Sequence, residues 1–171
     1  MKHKKIALIG MMGSGKTTVT KKLAEDLNLK AFEADEIFEA QEGISIKDFF
    51  KNFGEIEFRN KETDILKSIF KKDSFILSTG GGVILKKENR EILFNSDICT
   101  IYLKTSSKTI YERLKHQTQR PLLLVENPEK EIEKILAQRE EFYRLAKITI
   151  TTDNKTTEEI AKEIKEILWK E

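Results

Sequence analysis

Cysteine is nearly absent. Cys99, in the apolar stretch Ile98 to Leu103, is the only one among 171 residues, which excludes an internal disulfide and leaves no zinc-binding set. It reads as a small buried hydrophobe. There are only two histidines, His3 and His116; they lie far apart next to lysines and read as solvated or lid-borne. An excess of one charge is also missing: 31 basic residues stand against 29 acidic ones, a net charge of +2, although charged residues make up 35% of the chain. No nucleic-acid footprint follows from that balance, so any preference for anions must be local. Long hydrophobic runs are lacking too. The opening Met1-Lys2-His3-Lys4-Lys5 is basic, but the apolar run behind it is too short for a secretory core or a membrane span. A cytoplasmic protein without membrane or nucleic-acid partners is expected. There is no internal repeat, linker or low-complexity segment. With hydrophobic residues at 39%, residues 1–171 read as one domain, expected to work as a monomer.

The most informative stretch is Gly10-Met11-Met12-Gly13-Ser14-Gly15-Lys16-Thr17, which satisfies G-x-x-x-x-G-K-[ST]. Lys5 to Ile9 before it has strand length, and Val19, Leu23, Ala24 and Leu27 after it recur at helical spacing. Strand, glycine loop and helix form the setting of a phosphate-binding P-loop. Glycines let backbone N–H groups turn around a phosphate, and the helix N-terminus adds its positive end. Lys16 would reach the outer phosphates, and the Thr17 hydroxyl would be a ligand for the accompanying magnesium. A nucleoside triphosphate site follows, without the identity of what accepts the phosphate.

Strands and helices alternate through the rest of the chain. Strands are expected at Leu29 to Ala34, Phe75 to Ser78, Ile98 to Leu103 and Lys147 to Thr151. Asp35 closes the second strand, and a helical pattern starts at Ile37 and Phe38 and breaks at Gly43. Ser45 caps a short helix that Gly54 ends, and Glu55 to Lys71 is a long amphipathic helix. Further helices are read at Lys86 to Phe94, Ser106 to Leu114, Pro128 to Ala146 and Thr156 to Trp169, with a mobile basic loop over Lys115 to Asn127. The pattern predicts an α/β/α sandwich around a five-stranded parallel sheet.

Ligands of such sheets bind beyond the carboxyl ends of the strands. Strand two ends in Glu33-Ala34-Asp35 and strand three in Gly80-Gly81-Gly82. The two carboxylates read either as a magnesium-side group and an acceptor-activating group, or as an acidic helix cap at Asp35 beside a solvated Glu33. Arg59 shares a helix face with Glu62, Leu66 and Phe70, and Arg139 sits among Ile132, Ile135, Leu136 and Tyr143. An arginine in an apolar stripe must be paired or line a wet cleft. Arg59 therefore reads either as a structural ion pair with Glu62 or as a planar anion clamp oriented by it. Arg120 could swing over a transferring phosphoryl group or be an ordinary solvated charge, and Arg113 and Lys115 make its surroundings positive.

In order and spacing, the segments GMMGSGKT, FEADEIFE, GISIKDFF, GEIEFRNKE, STGGGV, RPLL and REEFY resemble the shikimate kinase family of small P-loop kinases, almost end to end. The resemblance implies sheet order 2-3-1-4-5, a shikimate-binding segment over residues 33 to 61, and a lid. It implies that Asp35 binds the shikimate 3-hydroxyl and takes its proton, that Arg59 and Arg139 hold the carboxylate with Glu62 orienting Arg59, and that Gly80, Gly81 and Gly82 contact ring hydroxyls. Gly13, Ser14, Gly15, Lys16, Thr17 and Thr18 would cradle ATP phosphates, and Lys16 with Arg120 would stabilise the transferring group. Arg113 and Lys155 would flank adenine. The cofactor implied is magnesium, carried with ATP. The family usually has Asp-x-Asp where this chain has Glu33-Ala34-Asp35, so Glu33 is expected to reach magnesium through a water.

Two alternatives differ in their signals. A gluconate-type kinase would share the fold, but paired arginines and a triple glycine suit a ring carboxylic acid. A GTP-binding switch is suggested by Asn154-Lys155, yet Thr157 stands where its guanine-specifying aspartate belongs.

Overall fold

The computed structural model describes residues 3–95, 97–116 and 125–170. Five strands, β1 (Lys5–Ile9), β2 (Ala31–Glu33), β3 (Phe75–Ser78), β4 (Cys99–Lys104) and β5 (Ile148–Thr151), form one sheet in the order β2-β3-β1-β4-β5. Every neighbouring pair is parallel. Side chains alternate across β1. Ile6 and Leu8 pack with Val19 and Leu23 of α1 (Lys16–Leu27) and with Ile160 and Ile164 of α7 (Thr157–Lys170). Ala7 and Ile9 face the other way, toward Phe58, Ile65, Leu66 and Ile69 of α3 (Ile46–Phe70) and Leu93 of α4 (Lys87–Leu93). Burial on both faces explains why β1 and β3 are continuous apolar runs rather than alternating ones. Each fully buried leucine or isoleucine contributes about 1.5–3 kcal/mol relative to exposure. Cys99 is fully buried, as expected of a small hydrophobe.

The expected elements are present with shifted ends. β2 is shorter than Leu29 to Ala34, because α2 (Ala34–Glu42) begins at Ala34 rather than at Ile37. Glu33 is the last extended residue, at φ −112° and ψ 113°, and Asp35 and Glu36 occupy the first helical turn. Carboxylates there are favoured by the positive end of the helix. The acidic cap considered at Asp35 is therefore not formed: Asp35 lies inside the helix and Glu33 precedes it. Ser45 does cap α3, accepting from Asp48 N at 3.1 Å. At Gly54 (φ 80°, ψ 176°) the chain breaks between two helical segments without an intervening loop. α5 (Ser107–Leu114) and α6 (Pro128–Tyr143) pack together through Ile110, Leu114 and Ile132 around Met11 of the first glycine loop. α6 stops at Tyr143, short of Ala146, where the chain tightens through bonds from Leu145 N to Phe142 O and Ala146 N to Tyr143 O before β5 starts. A single 3-10 turn, Val83–Leu85, follows the triple glycine and was not expected. Among the described residues no helix is long and apolar enough to cross a membrane.

Candidate active site

β1, β2 and β3 all point their carboxyl ends at one cleft of about 290 Å³. Gly13, Gly15, Lys16, Thr17 and Thr18 of the first glycine loop, Glu33 and Asp35 after β2, and Ser78, Thr79 and Gly81 after β3 line it. The loop needs its glycines: Gly13 and Gly15 have φ of +79° and +93°, and a Cβ on Gly10 would lie 2.8 Å from the Leu103 carbonyl. Ser14 is fully buried inside the loop. Lys16, only 8% exposed, donates to the carbonyls of Gly10 at 2.9 Å and Met11 at 3.0 Å. Its ammonium is thereby held over the loop in which a phosphate would sit.

Thr17 Oγ1 donates to Glu33 Oε2 at 2.9 Å, which ties the start of α1 to the end of β2. Burial pushes the Glu33 carboxyl above its ordinary range, while the hydroxyls of Ser78, its cross-strand neighbour, and of Thr17 work against that shift. The second oxygen, Oε1, is buried without a hydrogen-bond partner. An oxygen-rich point with one orphaned carboxylate oxygen fits a hard divalent cation. Among the described residues no group of three or more histidine, cysteine, aspartate or glutamate side chains could cage a metal unaided. The donor set therefore fits magnesium that arrives with phosphate and water ligands of its own.

On the acceptor side, two carboxylates converge on Gly80. A Cβ there would lie 2.7 Å from Glu62 Oε1 and 3.4 Å from Asp35 Oδ1. Asp35 is exposed, whereas Glu62 is 4% exposed. Burial raises the Glu62 carboxyl above its usual range against the pull of Arg59, and Asp35 adds to the rise. Arg59 Nη1 donates to Glu62 Oε2 at 2.8 Å and its guanidinium lies over the Phe58 ring at 5.0 Å. The ion pair foreseen between Arg59 and Glu62 is present, and it leaves Arg59 Nη2 against Gly82. Arg139 Nη1 donates to Gly81 O at 3.3 Å and contacts Met11 Sδ at 3.8 Å. The triple glycine also touches the first loop, since a Cβ on Gly81 would lie 3.0 Å from Met12 N.

The flank of the first loop is made by α5 and the turn after β5. Arg113 Nη1 donates to Gly13 O at 3.1 Å and Nη2 reaches Thr152 O at 3.5 Å. Burial opposes ionisation of Asp153, but hydrogen bonds from Ser106 and Thr109, with Arg113 nearby, hold its carboxyl below the usual range. A 510 Å³ groove opens here between Ser106, Arg113, Asp153 and Asn154. Lys155 and Arg113 share an adjoining hollow with Ser14, Gly15 and Thr18, and Lys155 pairs with Glu163 at 2.6 Å. Every sequence-derived site residue is thus gathered around the two glycine loops except Arg120, which lies outside the described residues together with the centre of the expected lid. Sequence reasoning missed Tyr143, whose hydroxyl donates to Gly81 O at 2.5 Å. Its position four residues after Arg139 was the available signal, but a tyrosine in an apolar stripe reads as core. Ser78 was read only as the end of a strand and Thr79, whose Oγ1 donates to Leu8 O at 2.9 Å, only as the start of the second glycine loop.

A family model described as shikimate kinase matches residues 12–169. The shikimate kinase of Thermodesulfovibrio yellowstonii is 42% identical over 161 residues, covering 94% of this chain and 92% of that protein. The shikimate kinase of Legionella pneumophila (strain Corby) is 38% identical over 172 residues, covering 100% and 98%. Among solved structures, the shikimate kinase of Acinetobacter baumannii in complex with shikimate superposes with a TM-score of 0.92 at 35% identity, covering 98% of this chain and 94% of that one.

Proposed function

The chain belongs to the shikimate kinase family, and on that premise we propose which of its residues perform each part of the reaction. The enzyme transfers the γ-phosphoryl group of ATP to the 3-hydroxyl of shikimate, giving shikimate 3-phosphate and ADP. The protein has little covalent chemistry to do in such a transfer; positioning and charge neutralisation carry it. Backbone N–H groups from Gly13 to Thr18 cradle the ATP phosphates. Lys16 exchanges loop carbonyls for phosphate oxygens, and Arg120 of the lid joins it on the transferring group. Magnesium bound with ATP neutralises phosphate charge, with Thr17 and, through a water, Glu33 as the residues that would hold it. Arg113 and Lys155 flank the base.

Asp35 receives the acceptor hydroxyl and takes its proton as the oxygen attacks. Arg59, oriented by Glu62, and Arg139 grip the shikimate carboxylate, and Gly80, Gly81 and Gly82 offer their backbone to the ring hydroxyls. The observation that carries this reading is the position of Asp35. It lines the P-loop cleft and also faces Gly80 beside the Glu62–Arg59 pair, so one carboxylate touches both halves of the site. Residues 33 to 61 are the proposed shikimate-binding segment and 115 to 127 the proposed lid of a single domain. The working unit is proposed to be a cytoplasmic monomer acting on small molecules alone, a reading supported by the balanced charge; light scattering at assay concentration checks it.

A coupled ADP-release assay across shikimate, gluconate and nucleoside monophosphates tests the assignment of the acceptor. Turnover with shikimate is the expected result. Turnover with gluconate or a nucleotide in its place would move the acceptor assignment while leaving the P-loop reading intact.

A further inference from the structure

The carbonyl of Gly81 is gripped by two donors from α6: Tyr143 Oη at 2.5 Å and Arg139 Nη1 at 3.3 Å. The planar trans peptide that carries this carbonyl carries the Gly82 N–H on its opposite side. Fixing the carbonyl toward α6 therefore turns the Gly82 N–H away from α6. The rest of the loop repeats the pattern. Gly80 O and Gly82 O accept from Val83 N at 3.2 Å and Leu85 N at 3.0 Å. Val83 O accepts from Asn89 Nδ2 at 3.0 Å, and Ile84 O and Leu85 O accept from Arg90 Nη1 at 2.7 and 3.0 Å. Each carbonyl from Gly80 to Leu85 has a donor, so the peptide orientations of the loop are set before any ligand binds.

Only the Gly81 carbonyl depends on residues of α6, and its two holders differ. Arg139 is half-buried and, on the functional reading above, is drawn to the substrate carboxylate. Tyr143 is fully buried and its ring stacks on Tyr102 at 4.9 Å and 17°. Burial raises its hydroxyl pKa against Arg139, so it stays a donor. We propose that Tyr143 is a positioning residue for the acceptor: its hydroxyl holds the Gly81 carbonyl, and with it the direction of the Gly82 N–H, while Arg139 engages the substrate. This rests on the assignment of Arg139 and the triple glycine to shikimate.

Tyr143→Phe keeps the ring and removes the donor. Tyr102→Phe, which removes a hydroxyl bonded to Glu140 at 2.7 Å, is the control from the same stack. Calorimetric titration of Tyr143→Phe is expected to show shikimate binding about tenfold weaker with ATP binding unchanged, the effect of one buried hydrogen bond. KM for shikimate should rise by the same factor with kcat little altered, and Tyr102→Phe should change neither. In the unaltered protein the Tyr143 hydroxyl proton should give a slowly exchanging NMR resonance that persists at saturating shikimate, a measurement that decides the matter even if the variant does not fold. Loss of that resonance on binding, shikimate and ATP affinities falling together, or a Tyr143→Phe enzyme that binds shikimate as the parent does would overturn the proposal. If the unaltered protein binds no shikimate, the functional reading itself fails and this proposal falls with it.

Discussion

The guanidinium of Arg59 occupies the space that a side chain on Gly82 would need: a Cβ at position 82 would lie 2.3 Å from Nη2 and 2.8 Å from Cζ. Gly82 itself has φ −100° and ψ 7°, which alanine can adopt. The obstructed atoms are the far end of a flexible side chain, so Gly82→Ala should fold with a melting temperature near that of the parent. Arg59 would be displaced. Shikimate KM should rise roughly tenfold or more, the scale of one charge-assisted hydrogen bond. A large fall in melting temperature with unchanged KM would assign Gly82 to the fold instead of the site.

Glu62 gives a dependence on pH. Its folded-state pKa is raised, chiefly by burial, so between the ordinary carboxylate range and that raised value the folded state holds a proton that the unfolded chain has released. Stability from this group is full below the ordinary range and is lost as pH rises through the folded pKa. Glu62→Gln stays neutral throughout. Its melting temperature should equal or exceed that of the parent at neutral pH, and the gap should close as pH falls. Shikimate binding should weaken, because Arg59 loses its orienting carboxylate. A variant destabilised at neutral pH would contradict the sign.

The bond from Thr17 to Glu33 places both at the proposed magnesium point. Thr17→Val or Glu33→Gln should raise the magnesium concentration giving half-maximal ADP release by roughly tenfold or more, as loss of metal-orienting groups does. An unchanged magnesium titration in both would remove them from that role.

Arg139→Ala should weaken shikimate binding far more than ATP binding, measured by calorimetry on one preparation. The reverse order would place Arg139 with the nucleotide.

Much of this site was legible because its chemistry constrains backbone and side chain together. The first loop needs glycine at positive φ, a lysine over it and a helix behind it, and those requirements survive as a pattern in Gly10 to Thr17. Gly54 was equally readable, since φ of +80° inside a helical pattern forces a break. The start of α2 was misplaced because Asp35 and Glu36 suit both the end of a strand and a first helical turn, and only the sheet register decides. Arg59 and Glu62 were visible as a pair three residues apart, but whether they served a fold or a ligand depended on Gly82, which is distant in sequence. Tyr143 and Asn89 stayed hidden. Both bond to single carbonyls of the loop after β3, and no periodicity marks a side chain whose partner is a distant backbone atom.

Asp35 joins the two halves of the cleft, and its substitution tests that arrangement most directly. Asp35→Asn, assayed for ADP release at saturating ATP and shikimate alongside ATP titration, should lose roughly 10²–10⁴ in kcat, the scale of a removed general base, with ATP affinity unchanged. An equal loss of ATP affinity, or turnover near that of the parent, would contradict the placement of Asp35 at the acceptor hydroxyl.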